Sequence, residues 1–136
     1  MPDVTYSQAD ALDLAFADAE FDVVVCQFGV MFFLDKLAGV QQMARVPKPG
    51  GLFVMTVWDA LDVNPAVAIT NEIIQASFAS DPPGFLKSPF GYCDVAVVSQ
   101  LLQDSGLGLI DVMHVSVSDH PCGHWVCQGK SNSGGN

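Results

Sequence analysis

Two histidines and two cysteines lie close together near the end of the chain, in the segment HPCGHWVC at residues 120–127. Imidazole nitrogen and thiolate sulfur are ligands that zinc prefers. On a strand, His120, Cys122 and His124 would share one face, whereas Cys127 would point to the other. The paired Cys-x-x-Cys spacing of structural zinc sites is also absent. We therefore expect a turn that leads into a strand here, and no metal site.

A second candidate site follows the most apolar strand pattern of the chain. Residues 21–28 (FDVVVCQF) form a continuous apolar run with β-branched residues, which predicts a strand buried on both faces of a parallel sheet. Gln27 lies at the carboxyl end of this run, where ligands collect in α/β sheets. Phe28 and Phe32 either line the same pocket or belong to the core. Neither a Ser–His–Asp set nor a carboxylate pair is evident, so we name no catalytic residue.

The segments that position these residues alternate between strand and helix patterns. We predict strands at residues 4–6, 21–28, 52–58, 109–118 and 124–128. Helices are expected after the cap residues Asp35, Asn64 and Asp94. Strand–helix–strand units with apolar strands indicate an α/β fold with a parallel sheet, and a closing hairpin adds an antiparallel edge.

The sequence also predicts the inward faces of two helices and the position of one loop. In the helix after Asn64, Ile69, Ile73 and Ala76 are expected to form part of the apolar face. In the helix after Asp94, the apolar residues that we expect to point inward are Val97, Val98, Leu101 and Leu102. Residues 81–92 contain three prolines and two glycines, which predicts a loop.

Composition limits the classes of partner. The chain has 136 residues, enough for one domain, and its formal net charge is −10. Phosphate backbones are bound through Lys and Arg, of which there are 5, so we expect no nucleic-acid binding. No apolar run reaches the roughly 20 residues of a membrane span. The absence of a signal-peptide pattern and the scattered cysteines predict a cytoplasmic, reduced chain.

Three stretches together resemble the class I S-adenosylmethionine-dependent methyltransferases, in the small-molecule branch that includes quinone-biosynthesis enzymes. They are QADALDLAFADAEFDVVVCQFGVMFF, DKLAGVQQMARVPKPGGLFVMTVWD and GYCDVAVVSQLLQDSGLGLIDVMHVSVS. The combination of A-D-A-x-x-L-x-F, a strand reading FDVVV and K-P-G-G before a strand is specific. Pro47 departs from the Leu that is usual before K-P-G-G. The resemblance implies a Rossmann-like methyltransferase sheet with an antiparallel last strand.

The resemblance also implies a cofactor, S-adenosylmethionine, and residues that would hold it. Asp10 matches the carboxylate that accepts a hydrogen bond from the adenine amino group, and the backbone N–H of Ala11 matches a contact to the ring. Gln27 and Phe28 match positions that face the methionine part of the cofactor and the methyl acceptor. Residues 64–92 match the variable segment that covers a small-molecule acceptor. The alternative for each residue is an ordinary turn or core role.

The matching region begins at the family's third strand, which corresponds to residues 4–6. The first two strands, the Gly-rich loop and the acidic residue that holds the ribose have no counterpart in this sequence. We therefore expect a partial methyltransferase domain over residues 1–129, followed by a flexible tail at 130–136. As a fragment it would be inactive or bind the cofactor weakly. The alternative is a non-enzymatic oligomerisation or binding module.

A bare strand edge predicts self-association. Without the family's first strand, the backbone groups of residues 21–28 have one open side, which is a template for another chain. We expect a homodimer, either through these edges or through exchange of the strand at residues 4–6. The competing possibility is that residues 4–6 fold back into the gap within one chain.

Overall fold

A computed structural model describes residues 3–117 and 120–131. Within this part, four strands form one mixed sheet: β1 (Phe21–Gln27), β2 (Pro47–Trp58), β3 (Leu107–Val117) and β4 (His120–Ser131). The helices are α1 (Lys36–Arg45), α2 (Pro65–Ser77), α3 (Lys87–Phe90) and α4 (Val95–Asp104). The strand order is β1-β2-β4-β3, with β1 parallel to β2 and β4 antiparallel to both of its neighbours. The predicted α/β fold with an antiparallel last strand is confirmed.

Local signals in the sequence explain where α1 and α4 begin. The Asp35 carboxylate accepts a hydrogen bond from Ala38 N at 2.9 Å, and the Asp94 carboxylate accepts one from Ala96 N at 2.8 Å. Such caps satisfy backbone donors that have no partner inside the helix. Gly50, at φ +78°, allows the tight backbone path within the first residues of β2.

The core lies on the sheet face that α1 and α4 cover. From β2, Phe53, Met55 and Val57 are all fully buried, at 0% exposure. Leu102 of α4 and Cys127 of β4 complete the same cluster. Alternation along β2 places these side chains on one face, as the period of two in a strand requires.

The predicted strand at residues 4–6 is not formed. Val4 and Tyr6 are 67% and 90% exposed, and no described residue pairs with their backbone in a ladder. A strand is stabilised by hydrogen bonds to adjacent strands, so a high β propensity alone does not produce one. The prediction that residues 4–6 form a strand is therefore wrong.

The predicted inward faces of two helices are partly wrong. In α2, Ile69 and Ile73 are 57% and 61% exposed, and Ala76 is exposed as well. The half-buried side of α2 is instead the one that carries Ile74. In α4, Val98 and Leu102 are buried as predicted, but Val97 is 50% exposed.

Other boundaries also differ from the predicted ones. The short helix α3 lies inside the expected loop, and β2 begins at Pro47, so the K-P-G-G turn belongs to the strand. The strand β4 reaches Ser131, which places two residues of the expected tail in the sheet. Residues 132–136 of that tail lie outside the described part of the chain. No helix in the described part is long and apolar enough to cross a membrane.

Candidate functional site

Four aromatic or imidazole rings meet at the carboxyl ends of β1 and β2. Phe28 follows β1 and stacks on Trp58, the last residue of β2, with ring centroids 4.1 Å apart and planes 8° from parallel. His124 of β4 presents its ring edge to Phe28 at 5.6 Å, and Phe90 of α3 lies 5.9 Å from Trp58. We call Phe28, Trp58, Phe90 and His124 the aromatic cluster. It lies at the edge where α/β sheets bind ligands.

Phe28 has an uncommon backbone conformation for a non-glycine residue. Its φ is +52°, in the left-handed region. The conformation is held by Thr56 of β2, since Phe28 N donates to Thr56 O at 3.1 Å and to Thr56 Oγ1 at 3.0 Å. Strained backbone of this kind persists only where surrounding contacts hold it, and it is frequent at functional sites. In this conformation the Phe28 ring stacks on Trp58.

An acid–imidazole pair lies beside the end of β2 and was not predicted. Asp59 Oδ2 is 2.8 Å from His114 Nε2, and the Asp59 side chain is only 17% exposed. The two residues are 55 positions apart in the sequence. Burial, followed by the negative charge of Asp59, raises the pKa of the Cys93 thiol above its ordinary value. The position of Asp59 directly after a buried strand is the one sequence signal that could have indicated this pair.

Asp10 and Ala11 form a tight turn of their own. Asp10 Oδ1 accepts a hydrogen bond from Leu12 N at 2.9 Å, and Asp10 O accepts one from Asp13 N at 3.1 Å. The Asp10 side chain is exposed, and within the described residues nothing accepts a hydrogen bond from Ala11 N–H. A carboxylate acceptor and a backbone donor thus stand next to each other at the surface.

The predicted site residues fall into two groups. Gln27 and Phe28 stand at the end of β1, where Gln27 is exposed and Phe28 belongs to the aromatic cluster. Asp10 and Ala11 lie on the segment that precedes β1. Phe32 is 60% exposed, so it contributes little to a closed pocket or to the core.

The segment expected to cover an acceptor approaches the aromatic cluster in part. Phe90 contacts Trp58, and the half-buried Tyr92 lies under Lys36, whose Nζ is 5.3 Å from the ring centroid. Burial raises the pKa of Tyr92 above its ordinary value, so its hydroxyl stays neutral at physiological pH. In contrast, Phe78 and Phe85 are 48% and 61% exposed.

The segment at residues 120–127 forms part of β4 rather than a separate turn. The side chains of His120 and Cys122 lie outside the described part of the chain. Cys127 is buried, and its burial raises the pKa of the thiol to about 11. His124 packs its ring against Phe28 and Trp58.

Comparison with known proteins gives both a family match and sequence relatives. Residues 1–55 match the family model described as a methyltransferase domain. A Mycobacterium tuberculosis (strain ATCC 25618 / H37Rv) protein described as uncharacterized is 34% identical over 105 residues, which is 76% of this chain and 36% of the relative. The demethylmenaquinone methyltransferase of Mycobacterium sp. (strain KMS) is 45% identical over 53 residues, or 39% of this chain and 23% of that enzyme. The chain thus spans about a third or less of these relatives.

The fold has close counterparts among solved structures. One is the 1,6-didemethyltoxoflavin-N1-methyltransferase of Burkholderia thailandensis, solved with 1,6-didemethyltoxoflavin and S-adenosylhomocysteine. It superposes with a TM-score of 0.64 at 13% identity, over 92% of this chain and 49% of that enzyme. The predicted resemblance to class I S-adenosylmethionine-dependent methyltransferases of the quinone-biosynthesis type is confirmed, and the chain has their Rossmann-like fold.

Proposed function

We propose that this chain carries part of an S-adenosylmethionine-dependent methyltransferase site, for transfer of a methyl group to a small, fairly apolar acceptor. The observation that carries the proposal is the turn at Asp10 and Ala11, which presents an acceptor and a donor side by side. S-adenosylmethionine would supply the electrophilic methyl group. The residues of this chain would bind and orient the cofactor and the acceptor.

The turn fits the adenine part of this cofactor. The exocyclic amine of adenine is a donor and the neighbouring ring nitrogen is an acceptor, so they complement the Asp10 carboxylate and the Ala11 N–H. The hydrogen bond from Leu12 N to Asp10 Oδ1 holds the carboxylate in place before a ligand arrives. Asp10 keeps lone pairs for a ligand donor, because a carboxylate has about four acceptor positions.

By itself, we expect this chain to bind the cofactor weakly or not at all. In related α/β folds, a Gly-rich loop after a strand lets the backbone approach the cofactor closely. In the described residues the glycine that follows a parallel strand is Gly29, and a Cβ there would lie 2.9 Å from Cys26 Sγ. This glycine therefore serves packing. The contacts of Asp10 and Ala11 to the edge of adenine would then be the main contribution of this chain to cofactor binding.

The acceptor would lie near the aromatic cluster. Phe28, Trp58 and Phe90 offer flat apolar surfaces, which favour a small apolar or aromatic molecule over a charged one. Gln27 adds a polar side chain at the same strand end. Positioning of the acceptor in line with the methyl group can supply much of the rate in such a transfer.

Calorimetry with S-adenosylhomocysteine tests this proposal. The isolated chain should show binding weaker than micromolar, and Asp10→Ala should weaken any measurable binding by about 2- to 10-fold, the equivalent of one lost hydrogen bond. Asp13→Ala is the matched control, since it removes the same charge three residues away. Micromolar binding by the isolated chain would refute the weak-binding proposal. Equal effects of the two substitutions would refute the role of Asp10.

The second candidate function is a non-enzymatic oligomerisation or binding module. The observation in its favour is the exposure of two apolar side chains of β1, Val23 at 52% and Val25 at 63%. Methyl transfer to a panel of quinol and phenol acceptors would distinguish an enzyme from such a module. We place either form in the cytoplasm, since Cys26, Cys93 and Cys127 are free thiols.

A further inference from the structure

His124 differs chemically from the other three members of the aromatic cluster. The side chains of Phe28 and Phe90 carry no polar atom, and the indole of Trp58 can only donate a hydrogen bond. The neutral imidazole of His124 has one N–H donor and one nitrogen with a lone pair. His124 is therefore the member of the cluster that can accept a hydrogen bond from a ligand.

The sheet holds the ring of His124 beside that of Trp58. In the register of β2 and β4 the two residues lie directly opposite each other, so their side chains project from the same face. The strand β4 is paired on both sides, with β2 and with β3. The centroid of the imidazole is 5.6 Å from that of Phe28 and 6.2 Å from that of Trp58, in T-shaped contacts. These contacts fix the position of a polar ring among apolar ones.

The nitrogens of His124 have no hydrogen-bond partner among the residues that the structure describes, and the side chain is half-buried. In contrast, Nε2 of His114 lies 2.8 Å from Asp59 Oδ2. A polar group that is removed from water without a partner costs free energy. A ligand that offers a hydrogen bond to His124 would recover this cost.

The surroundings of His124 favour an aromatic ligand with a hydroxyl group. All four rings of the cluster are half-buried, so each keeps accessible surface against which a flat ring can pack. A hydroxyl suits the imidazole because it can donate to the lone pair or accept from the N–H, whichever nitrogen carries the proton. A carboxylate is disfavoured by the net charge of −10.

We propose that His124 determines specificity at the acceptor site by forming a hydrogen bond with a hydroxyl on the aromatic ring of the acceptor. The ring of the acceptor packs against Phe28, Trp58 and Phe90. This inference rests on the proposed function and names the chemical class of acceptor, a phenol. A ring without the hydroxyl leaves the imidazole unpartnered and binds less tightly. The hydrogen bond also orients the acceptor, with its hydroxyl toward β4.

NMR titration of the full chain with 4-ethylphenol and with its methyl ether, 4-ethylanisole, tests the proposal. The two probes have the same ring, but the ether has no hydrogen to donate. The unmodified chain should bind the phenol about 2- to 10-fold more tightly, the equivalent of one neutral hydrogen bond, although the ether is the more apolar molecule. The ring-nitrogen signals of His124 should shift with the phenol.

Two variants separate this role from simple packing. His124→Phe keeps a ring beside Phe28 and Trp58 but removes both nitrogens, so it should abolish the preference for the phenol and leave the affinity for the ether unchanged. If the ring served packing alone, the two affinities would change together. His114→Gln is the matched control and should keep the preference, because the Gln amide can still donate to Asp59.

Three results would overturn the proposal. They are equal or tighter binding of the ether by the unmodified chain, a preference for the phenol that persists in His124→Phe, and a preference that His114→Gln abolishes. If neither probe binds, the acceptor site at the aromatic cluster is rejected together with this inference. The titration contains no cofactor, so the role of Asp10 in cofactor binding can hold or fail independently.

Discussion

At the residue scale, Arg45 connects more of the chain than any pattern in the sequence suggests. Its guanidinium donates to Phe16 O at 2.7 Å and to Leu14 O at 2.9 Å, and it forms an ion pair with Asp18 at 2.6 Å. These bonds attach the segment before β1 to the end of α1. An Arg side chain can do this because its planar fork offers five donors in fixed directions.

We predict that Arg45→Ala lowers the free energy of unfolding by about 2–3 kcal/mol, because charged hydrogen bonds to two carbonyls are lost. Urea denaturation measures the change. Lys48→Ala is the control, since its ion pair with Asp22 is exposed and should contribute no more than about 1 kcal/mol. Similar losses of unfolding free energy for the two variants would show that the hydrogen bonds of Arg45 contribute no more to stability than an exposed ion pair.

The buried thiols of Cys26 and Cys127 are chemically unreactive. Burial raises the pKa of Cys127 to about 11, and burial also raises that of Cys26 despite backbone N–H groups from Gly29 and Val30 that lower it. The thiol form therefore dominates at physiological pH, and both residues act as small apolar core groups.

At the element scale, α2 and α4 show how differently two apolar helices can be used. Both contain Ile, Val or Leu at helical spacing, but Leu102 of α4 is 0% exposed whereas Ile73 of α2 is 61% exposed. The start of α2 is held by Asn64, which is fully buried and donates from Nδ2 to Ala60 O at 2.7 Å. This bond fixes the turn after β2, and in the helix α2 that follows, Ile69 and Ile73 face solvent.

The two helices make a matched test. We predict that Leu102→Ala lowers the free energy of unfolding by about 2–5 kcal/mol through cavity formation. Ile73→Ala should change it by less than about 0.5 kcal/mol, since the side chain is exposed and Ala is a good helix former. Chemical denaturation of both variants gives the comparison. A large loss for Ile73→Ala would mean that another surface covers α2 in solution.

At the scale of the whole molecule, the charge of the chain acts against its folded state. The net charge of −10 produces self-repulsion, which is stronger in the compact chain than in the unfolded one. Screening shortens the range of this repulsion from about 30 Å at 0.01 M salt to about 3 Å at 1 M. The free energy of unfolding should therefore depend on ionic strength.

We predict that the free energy of unfolding increases with salt concentration, because repulsion among the acidic side chains is screened. Urea denaturation across a sodium chloride series measures the change. A free energy of unfolding that falls with salt would show that attractive ion pairs, such as that of Arg45 with Asp18, outweigh the repulsion.

The sequence by itself determined the features that depend on neighbouring residues. The apolar run at residues 21–28 specifies a strand, and Asp35 and Asp94 specify helix starts, because strand pattern and capping act over a few residues. The family resemblance, the α/β class and the antiparallel last strand were also predictable, since they follow from the order of such segments.

Only the tertiary structure decided how these elements meet. It brings Asp59 to His114 across 55 residues, turns Phe28 onto Trp58 at a positive φ, and orients Ile73 toward solvent. It also leaves Val4 and Tyr6 outside any strand. The physical reason is the same in each case. Propensity favours a local conformation, but a strand partner, a hydrogen-bond partner or a buried face comes from residues distant in sequence.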